Sequence, residues 1–307
     1  MRACACAVAA CATSALETRR SKRTVVPPTL DMRSSDAEIR AVLAGVRGAL
    51  SPVLAIKGHG LERACTELAH AAREHHAAAR AAGASAEPEQ EALALDGPLH
   101  ERAEELRSAL LGLSARLLRV ALGVESDTEA EARAGRLEGR LCLRRYPQRG
   151  GEAVVPRLGA HIDSTVLTLL WANGPGLEVL MPRDARVGEE GEGGEGGEGG
   201  EGGEGGEGGR WTAEQVLGLG LPTASAVELR EAREDEWACV ELPWEEGALI
   251  LTVGLEWLEC APLRERMPME CAVLHRVAVP GGRQERLSLP FLVNLRRGPG
   301  GGAGVGG

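Results

Sequence analysis

Aromatic side chains are scarce in this chain, with one Tyr, one Phe and five Trp among 307 residues. Proteins that grip single-stranded nucleic acid stack its bases on such rings, so that activity is not expected here. Long apolar runs are missing as well, and nothing approaches the ~20 residues that a membrane-spanning helix needs. The eight cysteines, at 4, 6, 11, 65, 142, 239, 260 and 271, contain no CxxC pair. That spacing argues against a structural zinc cluster and for reduced, mostly buried thiols of an intracellular protein. Clustered basic residues are lacking too, which excludes a phosphate backbone as the expected partner. Even the acidity is local: 188–209 holds eight Glu and no Lys or Arg, so only −2 of the net −10 belongs to the rest.

What remains is a chain long enough for one large core or two modest ones, 43% hydrophobic and filled by Ala, Leu and Val. Residues 1–24 are Ala-rich, free of acid before Glu17 and basic at their end, which suits either a targeting leader or a disordered tail. A cytoplasmic protein is expected, or an organellar one of plastid type if that segment is a transit peptide. Residues 25–138 read as mainly helical. Val25–Met32 is a short strand entered through prolines, and Ser35-Asp36-Ala37-Glu38 is a capping box opening a helix. Val53–Ile56 is a buried strand ending at Gly58-His59-Gly60, where His59 has a structural role. A helix over Leu61–Ala82 carries His70, His75 and His76 into solvent, Ala84–Asp96 is a polar connection, and a long helix from Pro98 stops at Gly123.

From Arg140 the texture turns to β. Strands are expected at Leu141–Pro147, Gly176–Leu180, Trp237–Leu242, Gly247–Val253, Val273–Val279 and Glu285–Asn294. Many short strands between Gly and Pro turns suggest a sandwich or jelly roll over 139–297. The six Glu-Gly-Gly triplets of 191–209 form a flexible insertion within it, Glu214–Gly220 is a short helix, and 298–307 is a disordered Gly-rich tail.

One stretch organises the β half. Arg157–Leu170 (RLGAHIDSTVLTLL) reads as a single strand, which puts His161 and Asp163 on the same face. An imidazole and a carboxylate side by side supply two thirds of a metal site, and His275 in AVLHRV is the third ligand assigned. Two His and one carboxylate leave half of the ion open, the arrangement of non-haem Fe(II) oxygenases. A solvated strand end with a capping Asp is the plain alternative. Pro280-Gly281-Gly282-Arg283 joins the last two strands as a hairpin, in which His275 lies opposite Ser288 and Val277 opposite Arg286. Arg286 then stands about 6–7 Å along the strand from the ligand level. That separation suits a small dicarboxylate, chelating the metal at one end and held bidentately by the guanidinium at the other.

Taken together, Tyr146-Pro147, His161-Ile162-Asp163, Leu167-Thr168-Leu169-Leu170, Gly176-Leu177-Glu178-Val179, the segment Trp237–Gly254, His275-Arg276-Val277 and Arg286-Leu287-Ser288 resemble the isopenicillin N synthase-like family of Fe(II)/2-oxoglutarate-dependent oxygenases. Pro28-Thr29-Leu30-Asp31 and Gly58-His59-Gly60-Leu61 extend the resemblance upstream, in the same order. It implies an α+β fold with a double-stranded β-helix (jelly-roll) core and flanking N-terminal helices. It also implies Fe(II) held by His161, Asp163 and His275, and 2-oxoglutarate held by Arg286, Ser288 and Tyr146, with ascorbate as reductant. The reaction it implies is hydroxylation or desaturation of a small molecule by O2, coupled to decarboxylation of 2-oxoglutarate to succinate and CO2. Neither nucleic acid nor membrane is an expected partner, and a monomer is expected. The N-terminal region is shorter than the family's, Leu255 follows Gly254 where many members carry Asp, and Arg144 stands in place of an Asn two before Tyr146. An iron oxidase that does not use 2-oxoglutarate, and a silent scaffold of the same fold, are the alternatives.

Overall fold

The computed structural model describes residues 23–45, 53–81, 91–93, 95, 97–146, 158–180, 237–240, 242, 247–267, 272–278 and 285–296. The Glu-Gly-Gly repeat, the helix expected at Glu214–Gly220, residues 1–22 and the Gly-rich tail lie outside them.

Thirteen strands are found among the described residues. From the N-terminal part come β1 (Arg23–Val25), β2 (Thr29–Asp31), β3 (Val53–Lys57) and β4 (Glu91–Leu93). There follow β5 (Arg136–Leu141), β6 (Leu143–Tyr146), β7 (Leu158–His161), β8 (Leu167–Ala172) and β9 (Leu177–Leu180). The last are β10 (Trp237–Val240), β11 (Leu249–Val253), β12 (His275–Val277) and β13 (Arg286–Arg296). They build a five-stranded sheet in the order β1-β10-β9-β12-β7 and an eight-stranded one in the order β2-β3-β11-β8-β13-β6-β4, with β5 also on β13. From β7 to β13 the chain changes sheet at every step except β9 to β10, which pair antiparallel, Leu180 against Trp237. In chain order the acidic repeat falls between these two paired strands.

Six helices accompany the sheets among the described residues: α1 (Asp36–Gly45), α2 (Glu62–Ala81), α3 (His100–Leu122), α4 (Asp127–Ala134), α5 (Leu255–Glu259) and α6 (Ala261–Arg266). The capping box forms at α1, where the Ser35 amide donates to Glu38 Oε2 at 2.8 Å and the Glu38 amide to Ser35 Oγ at 3.3 Å. Gly123, at φ 68°, closes α3 in the left-handed conformation that glycine adopts without a Cβ penalty. His59 is structural: its Nδ1 accepts from the Leu61 amide at 3.1 Å and its Nε2–H donates to the Gly247 carbonyl at 3.2 Å.

Two apolar clusters divide the strands by parity. Leu287, Leu289, Phe291 and Val293 of β13 pack with Leu167, Leu169 and Trp171 of β8 against helix residues such as Leu68, Leu106 and Leu117. Leu170 of β8 and Ile250 of β11 face the other way and meet Leu177, Val179, Ala238 and Val240 of the smaller sheet. Strand side chains alternate between faces, so each sequence supplies both layers.

Several expectations need correction. Arg157–Leu170 is not one strand: β7 ends at His161, a bend follows, and β8 lies in the other sheet. Nor do the last two strands form a hairpin. β12 pairs with β7 and β9, whereas β13 pairs with β5, β6 and β8. A short Gly-rich link permits a hairpin, but here pairing follows burial, and each strand hides its apolar face against a different layer. Glu91–Leu93, within the expected polar connection, is an edge strand on β6. α4, capped by Ser126, was not foreseen. Strand structure begins at Arg136, not Arg140, and β1 includes Arg23 and Thr24. None of the described cysteines, 65, 142, 239 and 260, is in a disulfide, and burial pushes the Cys65 thiol up to about 12.

Candidate metal centre

His161 and His275 are directly paired residues of β7 and β12, so their rings leave the smaller sheet on the same side. The ring centroids are 4.3 Å apart. Each ring spends its Nδ1 locally. His161 Nδ1 donates to the Gly159 carbonyl at 2.8 Å, and His275 Nδ1 to the Val273 carbonyl at 3.0 Å. Those bonds fix the tautomer in which both Nε2 lone pairs are free, as in metal-binding imidazoles whose other ring N–H is held by a carbonyl.

Asp163 arrives just past the end of β7, in the crossing between the sheets. Its Oδ1 lies 3.6 Å from His161 Nε2, and its Oδ2 accepts from Thr168 Oγ1 at 2.6 Å. Thr165 Oγ1 lies 3.1 Å from Thr168 Oγ1 and extends the network. One carboxylate oxygen is thus tied back and the other is presented. One ligand atom from each of His161, Asp163 and His275 lies within 4.8 Å of the others. This donor set could hold a divalent metal, and among the described residues it is the cluster of three such side chains that does so. Burial, then the His275 charge, lower the His161 pKa, which keeps that imidazole neutral and able to ligate.

The crossing is pinned from behind. Leu255 N–H donates to the Asp163 carbonyl at 2.9 Å, Glu256 N–H to Thr165 at 3.1 Å and Gly254 N–H to Val166 at 3.3 Å. A Cβ at Gly254 would collide with the Thr165 carbonyl oxygen and stand 2.7 Å from that of Asp163. Glycine is needed there because two backbones touch, and the first turn of α5 then holds the Asp163 loop.

On the opposing sheet, Arg286 pairs with Tyr146 and Ser288 with Arg144 and Ala172. Arg286, Ser288 and Tyr146 are 3%, 2% and 1% exposed. The Arg286 guanidinium carbon lies 5.2 Å from the Tyr146 ring centroid, and Gly176 gives its stem room. All three guanidinium nitrogens are buried, and among the described residues none makes a hydrogen bond of acceptable geometry, the Tyr146 hydroxyl being the nearest polar neighbour that favours the charge. Burial lowers the Arg286 pKa, yet a guanidinium starts so high that its charge persists. An unpaired buried cation costs several kcal/mol, on the order of 3–5 kcal/mol when a partner is taken away. Of the residues expected from sequence, His161, Asp163 and His275 are brought together, and Arg286, Ser288 and Tyr146 lie on the other sheet rather than along one hairpin with His275.

Thr168, Thr165 and Gly254 were not singled out as part of the site. For Thr168 the signal was the run Leu167-Thr168-Leu169-Leu170, where a Thr interrupts an apolar strand buried on both faces.

No family profile and no curated protein matches the sequence. Solved structures do share the fold. JOX2 in complex with 2-oxoglutarate, iron and JA superposes at TM-score 0.55 and 17% identity, over 90% of this chain and 76% of that one. A full-length Neurospora crassa protein in complex with 2-oxoglutarate and thymine gives 0.53 and 11%, over 93% and 92%. The dioxygenase for auxin oxidation 1 from Arabidopsis thaliana, with 2-oxoglutarate, gives 0.51 and 15%, over 89% and 94%. The fold is thus that of 2-oxoglutarate/Fe(II) oxygenases, a mixed α and β architecture with two sheets. Among the described residues no helix is long and apolar enough to cross a membrane.

Proposed function

We propose that this protein is an Fe(II)- and 2-oxoglutarate-dependent oxygenase that hydroxylates or desaturates a small organic molecule, on a double-stranded β-helix core. The observation that carries the reading is the buried, unpartnered Arg286 guanidinium on the wall that faces a His-Asp-His cluster. An anion with two well-spaced acid groups satisfies both. In this reading His161 Nε2, Asp163 Oδ1 and His275 Nε2 hold the iron. Arg286, with the Ser288 hydroxyl and Tyr146, receives the far carboxylate of 2-oxoglutarate. Bound together, Fe(II) and 2-oxoglutarate supply the oxidising power for the O2-dependent step, yielding succinate and CO2, with ascorbate keeping the iron reduced.

The chain's own residues do the positioning. The Gly159 and Val273 carbonyls aim the two imidazoles, and Thr168 restrains Asp163. Val179, Leu170 and Ile250 exclude water from the space between the sheets. Purified protein supplied with Fe(II), ascorbate, labelled 2-oxoglutarate and broad substrate pools is expected to release succinate, and His161→Ala to abolish it. Succinate no higher than in the His161→Ala protein would refute the proposal.

A further inference from the structure

Two consecutive arginines on β6 meet different fates. Arg145 is neutralised by Glu285, its Nε donating to Oε2 at 2.6 Å. Arg144 stands directly opposite Ser288 in the strand register, so its side chain leaves the large sheet on the face that carries Ser288, Tyr146 and Arg286. Arg144 and Tyr146 are two positions apart, or about 6–7 Å along the strand. Arg286 is closed off from solvent, whereas Arg144 is partly exposed and reachable from outside. Among the described residues no carboxylate forms an ion pair with Arg144.

The dicarboxylate of the proposed reaction uses Arg286 at one end and the metal at the other. Arg144 is then a cation to spare, partly exposed on the same face of the large sheet. From this placement we infer that Arg144 is a specificity-determining residue, which binds the carboxylate of a prime substrate that is itself a small organic acid. The inference rests on the oxygenase reading. A guanidinium pairs with a carboxylate through two parallel N–H···O bonds, so it fixes orientation as well as affinity. An Asn at the same place offers no charge and selects neutral molecules equally well. The metal-side carboxylate of 2-oxoglutarate has the same chemistry, and the test separates the two.

The full chain, loaded with redox-silent Mn(II) and 2-oxoglutarate, is titrated calorimetrically with benzoate and indole-3-acetate and with their neutral amides. The acids are expected to bind at least about tenfold tighter than the amides, the worth of one charge-assisted pair. Arg144→Asn and Arg144→Gln should erase that preference while leaving the 2-oxoglutarate Kd within about threefold, and thermal melting of both variants checks that they fold. Equal binding of acids and amides by the wild-type protein, or none of either, overturns the inference. So does a preference that survives both substitutions. A tenfold loss of 2-oxoglutarate affinity in the variants also overturns it, by giving Arg144 to the cosubstrate. Failure of the wild-type Mn(II) protein to bind 2-oxoglutarate is read in a separate arm, and it sinks the oxygenase reading itself.

Discussion

The two faces of the eight-stranded sheet are made by the same strands and obey different rules. Toward the helices, β13 presents Leu287, Leu289, Phe291 and Val293, all at most 1% exposed. Toward the smaller sheet it presents Arg286 and Ser288, which are polar and yet almost as deeply buried. A strand lying on a core with its other face in water also alternates apolar with polar. What distinguishes a site from a wet face is that the polar members are buried too, against a second layer. On one face the side chains satisfy each other; on the other a buried guanidinium has no hydrogen-bond partner among the described residues.

The helix-side face should answer to volume alone. Phe291 is fully buried, and its ring fills the space beside Gly139, where a Cβ would collide with it. Phe291→Ala is expected to cost about 3–5 kcal/mol of stability, read as a lower denaturant midpoint, while the folded fraction keeps its 2-oxoglutarate affinity. The inner face should respond in the opposite sense. Arg286→Met replaces an unpaired buried charge with an apolar side chain of similar length, so the ligand-free protein should gain about 1–4 kcal/mol. Its affinity for 2-oxoglutarate should fall by about 10–100-fold. Chemical denaturation and calorimetry on the same preparation read both. A destabilised Arg286→Met protein would erase the contrast between the faces.

Thr168 tests the inner face at one further remove from the metal. Thr168→Val keeps the shape of the side chain and removes the donor to Asp163 Oδ2. Metal affinity is expected to fall by about 10–100-fold, with little change in the denaturant midpoint, as titration with Mn(II) will show. Unchanged Mn(II) binding would mean that the Asp163 loop is held by its backbone bonds to α5 alone.

Local pattern gave away much of this molecule and stopped where pairing became non-local. The capping box at Ser35, the stop at Gly123 and most strands were legible because each is written in a few adjacent residues. The His161, Asp163 and His275 cluster was legible too, through the order in which its motifs run. The register was not legible. Four residues, Pro280-Gly281-Gly282-Arg283, look like a hairpin turn, but partner choice depends on which layer covers each strand, and no short window contains that. The break after His161 was hidden for a similar reason. His161-Ile162-Asp163 keeps a strand's spacing while the backbone is already crossing to the other sheet. β4 was missed because three residues between polar neighbours carry too little pattern, and α4 because Asp127–Ala134 is short and charged.

A finer version of the contrast compares one residue type in two places. His59 has both ring nitrogens occupied, whereas His161 and His275 each keep one. A fully spent, fully buried imidazole is a structural part, and its signature should be in stability rather than in metal binding. Burial holds the His59 pKa below 6.5 despite the opposing pull of Glu62. Below that pH the unfolded chain binds a proton that the folded chain refuses, so stability present above pH 6.5 is lost as the pH falls toward the folded value. The slope from this one group is at most about 1.4 kcal/mol per pH unit. Denaturant titrations from about pH 8 to about pH 5.5 should show that loss in the wild-type protein and a flatter profile in His59→Gln, with Mn(II) affinity unchanged. An equal slope in the two proteins would mean that His59 is protonated in the folded state, and that its bond to Gly247 does not depend on the neutral ring.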